Sequence, residues 1–146
     1  MENIPCDAPK FALSGTYTCR IVSLHDGDTF TGVIPLYGTP WKFSIRVDGI
    51  DTPEMTSRSP GAYRARNRLF QLLVGRMDID TTEYKKAHFD AFFKTNYTLF
   101  TFEAAGFDKY GRVLANIPNI SQILIREGLA YEYHGGTKRA AADSST

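Results

Sequence analysis

The first half of the chain alternates apolar and polar positions with the period of two that is typical of β-strands. Three such stretches cover residues 15–24, 28–37 and 41–47. In the third stretch, one face carries Trp41, Phe43, Ile45 and Val47. The positions between them are polar and include Arg46. We therefore predict a three-stranded meander whose core lies on the apolar face.

Later stretches repeat apolar residues with helical spacing. Ser59 and Pro60 supply an N-cap and a first-turn proline, so a helix is predicted from there to Gly75. Its apolar stripe consists of Ala62, Ala65, Leu69, Leu72 and Leu73. A second helix is predicted to begin at Asn119, because Gln122 follows in capping-box spacing. The segment 82–95 is ambiguous. A short helix there would turn Tyr84, Ala87 and Ala91 inward.

Two more strands are predicted at 96–103 and 112–117, separated by the turn Asp-Lys-Tyr-Gly at 108–111. Five short strands with two or three helices are typical of a Greek-key barrel of the OB-fold type. We therefore predict an α+β, mainly β fold. The predicted domain covers residues 15–135, after an N-terminal extension at 1–14 and before a short, flexible tail at 136–146.

The composition limits the kinds of function. A chain of 146 residues with a net charge of +1 is one domain that does not attract nucleic acid by bulk positive charge. No apolar run approaches the ~20 residues that span a bilayer, and no secretory signal is visible. These features favour an intracellular or cytoplasmic protein without a membrane partner. Cys6 and Cys19 are predicted to be free thiols in a reducing compartment.

Acidic residues cluster at two predicted strand ends. The sequence HDGDTF at 25–30 contains Asp-Gly, a strong hairpin signal, so taken alone it favours a turn with two solvated acids. The sequence DTPE at 51–54 lies five residues after Arg46. Strict alternation would place Arg46 and Asp51 on opposite faces, but a bulge or strand end at Asp48-Gly49 would redirect the chain after it.

A third cluster, DKYGR at 108–112, ends in an arginine. An arginine at the head of a strand is more commonly a surface ion-pair partner than a catalytic group. The combination of clusters is more informative. Carboxylates suit a hard cation such as Ca²⁺, a further acid can act as a base, and arginines match phosphate geometry.

Four segments in this order resemble the signatures of the staphylococcal nuclease (thermonuclease) family. They are HDGDTF at 25–30, RVDGIDTPE at 46–54, DKYGRVLA at 108–115 and IREGLAY at 125–131. The resemblance extends from about Gly15 to Tyr133 and identifies a catalytically intact member. It implies a calcium-dependent endonuclease that hydrolyses phosphodiester bonds of DNA and RNA and leaves 3′-phosphate ends. Its partners would be DNA or RNA, and a monomer is favoured.

The resemblance also implies roles for individual residues. The ligands of a single Ca²⁺ would be Asp28, Asp51 and the Thr52 carbonyl group, with Asp26 close to the metal but not bound to it. The catalytic residues would be Glu54, Arg46 and Arg112, with Glu54 as general base. The substrate-binding residues would be Lys109, Tyr110 and either Tyr133 or His134, since the family's second pocket tyrosine aligns with His134 and Tyr133 lies beside it.

Several points stay open in the sequence. The chain has an extra segment near residues 79–96, and the loop after Glu54 is short. Arg64, Arg66 and Arg68 fit either a solvated helix face or a patch that touches a nucleic-acid backbone. The alternative function is an inactive OB-fold module that binds nucleic acid or serves as a scaffold. Inactive copies of the domain lose some of the acids or arginines of the catalytic and metal-binding set. This chain keeps all five side chains of that set, namely Asp28, Arg46, Asp51, Glu54 and Arg112.

Overall fold

The computed structural model describes residues 3–133. The strands are β1 (Ser14–Asp26), β2 (Thr29–Leu36), β3 (Thr39–Val47), β4 (Ile50–Asp51), β5 (Leu99–Phe107), β6 (Val113–Asn116) and β7 (Tyr131–Glu132). The helices are α1 (Pro60–Val74), α2 (Lys86–Thr95) and α3 (Pro118–Arg126), with a 3₁₀ turn at Met55–Ser57. The five predicted strands and the predicted helices are found with shifts at their ends, the largest at β5, whereas the short strands β4 and β7 were not predicted.

Five of the strands form a closed barrel in the order β1-β2-β3-β6-β5. All neighbours are antiparallel except β3 and β6, which run parallel with Arg46 opposite Leu114. This mixed barrel with three helices is an α+β fold of the OB-fold-like type, so the predicted fold class is confirmed. The short strands β4 and β7 form a separate two-stranded sheet.

The barrel core agrees with the alternation of β2 and β3, with one correction. Phe30, Ile45 and Val47 are fully buried, but Trp41 is 50% exposed. Trp41 lies at the far end of the β2–β3 hairpin, where its indole N–H donates to the Leu36 carbonyl group at 3.2 Å. The predicted apolar face therefore enters the core only in the second half of β3.

The prediction for α1 is confirmed at both ends. The Ser59 hydroxyl accepts from the Ala62 N–H at 3.2 Å, Pro60 is the first helical residue, and Gly75 ends the helix with a φ of 76°. Ala65 and Leu69 are fully buried against the barrel.

The ambiguous segment contains the helix α2. Tyr84, just before it, packs against the core as predicted, but the predicted inward face is wrong for the two alanines. Ala87 and Ala91 are exposed, whereas Phe89 and Phe93 are buried. The two phenylalanine rings pack at 5.9 and 6.0 Å from the ring of Phe70 on α1. Burying these rings removes far more apolar surface from water than burying two alanines, so the rings determine the orientation of the helix.

The predicted capping box of α3 is wrong. The helix begins at Pro118, and its N-cap is Ile117, which makes no side-chain cap hydrogen bond. Proline is favoured at a first helical position because its missing N–H is not needed there, so it starts the helix without a side-chain cap. None of the helices in the described part of the chain has the length and apolar character to cross a membrane.

Candidate functional site

A polar cavity of about 210 Å³ opens where several strands end at one side of the barrel. Its walls consist of Asp26, Asp28, Arg46, Asp51, Glu54, Lys109, Tyr110, Arg112 and Tyr133. The sequence analysis singled out every one of these nine residues. The fold therefore brings together side chains from five separate segments of the chain.

Asp28 is held in place, in the turn between β1 and β2, by hydrogen bonds to its backbone and to its carboxylate. Its own N–H donates to Asp26 Oδ1 at 3.1 Å, which is a local turn contact. Its two carboxylate oxygens accept from Thr29 Oγ1 at 3.0 Å and from the Thr52 N–H at 3.1 Å. Asp26 thus supports Asp28 from behind, and the backbone of Thr52 lies beside the Asp28 carboxylate.

Arg46 connects the acids of the site. Its Nη2 lies 3.2 Å from Asp51 Oδ1 and 3.5 Å from Asp28 Oδ2. Its Nη1 donates to the carbonyl groups of Val47 at 3.1 Å and Ile50 at 2.9 Å. The turn at Asp48-Gly49 reverses the chain between β3 and β4, and this brings Asp51 back to the side of Arg46. All three charged groups are buried, with exposures of 7% or less.

Glu54 is the exposed acid of the cavity. It follows β4 through Pro53, and its backbone carbonyl group accepts from the Ser57 hydroxyl at 2.6 Å, which fixes the start of the 3₁₀ turn. The Thr56 hydroxyl donates to its carboxylate at 3.4 Å. The backbone of Glu54 is thus held by Pro53 and Ser57, while the residue lines the cavity and stays exposed to solvent.

Arg112 is oriented by Asp108, a residue that the sequence analysis did not single out by itself. Arg112 Nε donates to Asp108 Oδ2 at 2.6 Å, and the N–H groups of Tyr110 and Arg112 donate to Asp108 Oδ1 at 2.9 Å. Burial raises the pKa of Asp108, but these hydrogen bonds together lower it by more. The pKa of Asp108 therefore lies below its ordinary value. The signal in the sequence is an aspartate at the start of a tight turn, which is common in proteins without any functional role.

The remaining predicted residues lie at the rim. The Tyr110 side chain is exposed, and both Lys109 and Arg112 lie about 5.2 Å from its ring centre. Tyr133 follows β7, and its ring lies 5.2 Å from the Arg46 guanidinium group. Of the two aromatics left open, Tyr133 is thus at the cavity, and His134 lies outside the described residues.

The charges of the cavity favour a cation. Four carboxylates face three cationic side chains, so an anionic phosphodiester would meet a net negative site. Carboxylate oxygens of Asp28 and Asp51, with the backbone carbonyl group of Thr52, are of the kind that Ca²⁺ prefers. Within residues 3–133, no three His, Cys, Asp or Glu side chains are grouped so as to hold a metal ion. The described residues offer a smaller set of oxygen donors, the carboxylates of Asp28 and Asp51, which both contact Arg46.

The arginines of α1 do not form a single patch. Arg66 is buried and donates to the Tyr84 carbonyl group at 2.6 Å, and burial lowers its pKa. Arg68 pairs with Glu127 at 2.9 Å, while Arg64 is exposed. The expectation of a solvated helix face is therefore wrong for Arg66, which anchors the segment that leads into α2.

No protein-family model matches the chain. Among curated proteins, the chain is similar to the "Uncharacterized protein MJ1439" of Methanocaldococcus jannaschii, with 34% identity over 133 residues. The match covers 80% of this chain and 59% of that protein. The chain thus spans about three-fifths of the length of this relative, whose printed name assigns it no activity.

Proposed function

We propose that the protein is a calcium-dependent phosphodiesterase that cuts DNA and RNA internally, as the resemblance to the staphylococcal nuclease family implies. The observation that carries the proposal is the convergence of five side chains on one cavity, namely Asp28, Arg46, Asp51, Glu54 and Arg112. The resemblance rests on residues far apart in the chain, and a chance match to separate motifs would not be expected to bring them together.

The buried acids are suited to binding a cation. Asp28, Asp51 and the Thr52 carbonyl group would hold Ca²⁺, and the bound ion would neutralise the phosphodiester and polarise its phosphorus–oxygen bonds. Arg46 already lies between the two carboxylates. It therefore links the two acids on one wall of the cavity.

Glu54 is the candidate general base. It is the exposed carboxylate of the cavity, whereas the three aspartates are buried. In the proposed reaction, a water molecule attacks phosphorus and its proton passes to the Glu54 carboxylate. The bond between phosphorus and the 5′ oxygen breaks, so the products are a 3′-phosphate and a 5′-hydroxyl group that takes its proton from solvent.

The arginines are suited to the charge that develops on phosphorus-bound oxygens. A guanidinium group matches phosphate geometry and stays charged throughout the pH range of the protein. Arg112 is partly exposed and fixed by Asp108, so it can meet a substrate without rearrangement. Tyr110, Lys109 and Tyr133 form the rim on which the neighbouring nucleoside would lie.

The test uses the whole protein with single-stranded DNA, double-stranded DNA and RNA, each in Ca²⁺ and in chelator. Wild type is expected to cut in Ca²⁺ and not in chelator. Glu54→Gln is expected to lower kcat about 10²–10⁴-fold, the usual contribution of general acid–base catalysis, with substrate binding retained. Glu103→Gln is the matched control, because Glu103 is an exposed acid on β5 that does not line the cavity.

Each outcome has a distinct meaning. If wild type binds all three nucleic acids in Ca²⁺ and leaves them intact, the protein is an inactive binding module. Cleavage that continues in chelator would refute the calcium dependence. Equal rates for Glu54→Gln and Glu103→Gln would refute the role of Glu54 as the base.

A further inference from the structure

A second cavity, of about 360 Å³, adjoins the candidate site. Arg112 lines both cavities, so the two lie next to each other at this side chain. The walls of the second cavity are formed by Ser23, Leu24, His25, Thr29, Thr31, Ser44, Lys86 and Arg112. We refer to it as the lateral cavity.

The floor of the lateral cavity is a row of hydroxyl side chains across three strands. Thr31 on β2 lies opposite Ser23 on β1 and opposite Ser44 on β3 in the strand register. The row therefore runs perpendicular to the strands on the outer face of the barrel. Small hydroxyl side chains leave space above the sheet, and they are frequent partners of phosphate and sugar oxygens.

The walls of the lateral cavity carry positive charge. Lys86 begins α2, the helix in the segment that is extra relative to the family pattern, and its side chain is 76% exposed. Arg112 and His25, the latter on β1, also line the lateral cavity.

Three acids lie beside these groups. Asp108 accepts from Arg112 Nε at 2.6 Å, and Asp26 Oδ2 lies 4.0 Å from His25 Nε2. The third, Asp90, accepts from Ser23 Oγ at 2.5 Å and from Lys86 Nζ at 3.2 Å. These contacts tie α2 to β1, which fixes the wall in place.

We propose that the lateral cavity binds the nucleotide on the other side of the scissile phosphate from the one that lies on Tyr110 and Tyr133. This inference rests on the proposed function and extends it. A polynucleotide has a nucleoside on each side of every phosphodiester. The nucleoside on one side of the scissile phosphate contacts the aromatic rim of the candidate site. The polynucleotide continues past Arg112, and its next nucleotide enters the lateral cavity. Lys86 then contacts the next phosphate.

The first experiment fills the lateral cavity. Ser44→Trp places an indole over the hydroxyl row, and Thr16→Trp is the matched control, because Thr16 is an exposed position of β1 that does not line the lateral cavity. The substrates are a thymidine dinucleotide and the 4-nitrophenyl esters of thymidine 5′- and 3′-phosphate, which carry a nucleoside on one side of phosphorus only. Cleavage is followed by chromatography.

Ser44→Trp is expected to lower kcat/KM for the dinucleotide about tenfold or more, within the range that contacts to one base provide. It should leave at least one of the two esters within about twofold of wild type. Equal losses on all three substrates would mean that the indole disturbs the catalytic residues, and would count against the proposal. No loss on the dinucleotide would refute the proposal while leaving the proposed function intact.

The second experiment measures binding without cleavage, by fluorescence anisotropy of a labelled thymidine octanucleotide in chelator. Removal of one phosphate contact to single-stranded DNA makes the negative slope of log K against log salt less steep by ~0.7. Lys86→Ala is expected to show this change, whereas Lys94→Ala, at the other end of α2 and exposed, keeps the wild-type slope. If wild type cuts no substrate, this measurement still shows whether nucleic acid binds at the lateral cavity. Equal slopes for the two variants would refute binding at the lateral cavity.

Discussion

Arg46 and Asp51 form a buried ion pair at 3.2 Å although they are five positions apart in the chain, across a strand end. In a regular strand, residues at odd spacing point to opposite faces. The turn at Asp48-Gly49, where Gly49 has a φ of 84°, returns the chain so that β4 lies beside the end of β3. The pair thus depends on the turn, and the guanidinium group supports the turn by donating to Val47 and Ile50.

Arg46→Ala is expected to lower the free energy of unfolding by about 3–5 kcal/mol, the cost of removing one partner from a buried ion pair. Two buried carboxylates would lose their neutralising charge, and two carbonyl groups would lose a donor. Urea unfolding in chelator measures the change. Arg46→Lys is expected to be intermediate, because an ammonium group lacks the planar fork that serves carbonyl and carboxylate groups together.

The control for this prediction is Arg76→Ala. Arg76 pairs with Asp78 at 2.8 Å, but both side chains are largely exposed. Exposed ion pairs contribute little to stability, so this variant should stay within about 1 kcal/mol of wild type. A loss for Arg46→Ala no larger than for Arg76→Ala would show that the buried network is not needed for folding.

The residues of the candidate site were predicted from the family resemblance, and the turns and strand ends where they lie are visible in the sequence. The interruption at Asp48-Gly49 indicated that Asp51 need not obey strict alternation, and the contact with Arg46 agrees with that interpretation. The contacts that hold the site residues and the neighbouring helix in position were not predictable. Asp108 is an ordinary turn residue in the sequence, and Arg66 belongs to a helix whose burial depends on how α2 packs.

Gly27 illustrates a requirement that the sequence shows only in part. A hairpin signal explains a glycine by its backbone freedom, but here the reason is close packing. A Cβ atom at Gly27 would lie 2.6 Å from Ala65 Cβ on α1 and 2.9 Å from Thr52 Oγ1. The helix α1 is therefore pressed directly against the turn that carries Asp26 and Asp28.

Gly27→Ala is expected to lower the free energy of unfolding by about 1–3 kcal/mol, the usual cost of overpacking. It should also weaken the proposed calcium binding, measured by calorimetry, because the clash displaces the turn in which Asp28 accepts from the Thr52 N–H. Gly61→Ala is the control. Its added Cβ would meet Pro53 at 3.7 Å, an ordinary contact, and alanine favours the helix by up to ~1 kcal/mol. A Gly27→Ala protein as stable as wild type would contradict the close packing.

The orientation of α2 could not be read from the sequence, because small and large apolar residues occur on different faces of the same short segment. Spacing alone favoured Ala87 and Ala91. The rings of Phe89 and Phe93 are inward because Phe70 on α1 supplies a partner surface, and that surface exists only in the folded chain. The same packing places Lys86 at the lateral cavity.

Asp108→Asn is expected to make stability less dependent on pH in the acid range. The folded-state pKa of Asp108 lies below its usual value of 3.8, so its charge stabilises the fold above that value, and this stabilisation is lost as pH falls through the folded-state pKa. The variant should therefore be less stable than wild type at pH 7, by about 1–3 kcal/mol for hydrogen bonds to a charged group. The difference should shrink below pH ~3.8. Urea unfolding at a series of pH values measures both, and a difference independent of pH would contradict the assignment.

The two cysteines are expected to differ in reactivity. Both are free, but Cys6 is exposed, whereas Cys19 has no exposed surface within the barrel. Burial raises the pKa of Cys19 to about 12, and the thiolate is the reactive form of a cysteine. A disulfide reagent such as 5,5′-dithiobis(2-nitrobenzoate) should therefore modify one thiol per chain in the native protein at pH 8 and two in denaturant. Cys6→Ser should abolish the native reaction and leave the reaction in denaturant at one thiol. Rapid modification of native Cys6→Ser would show that the barrel opens at Cys19, and would contradict a closed core at that position.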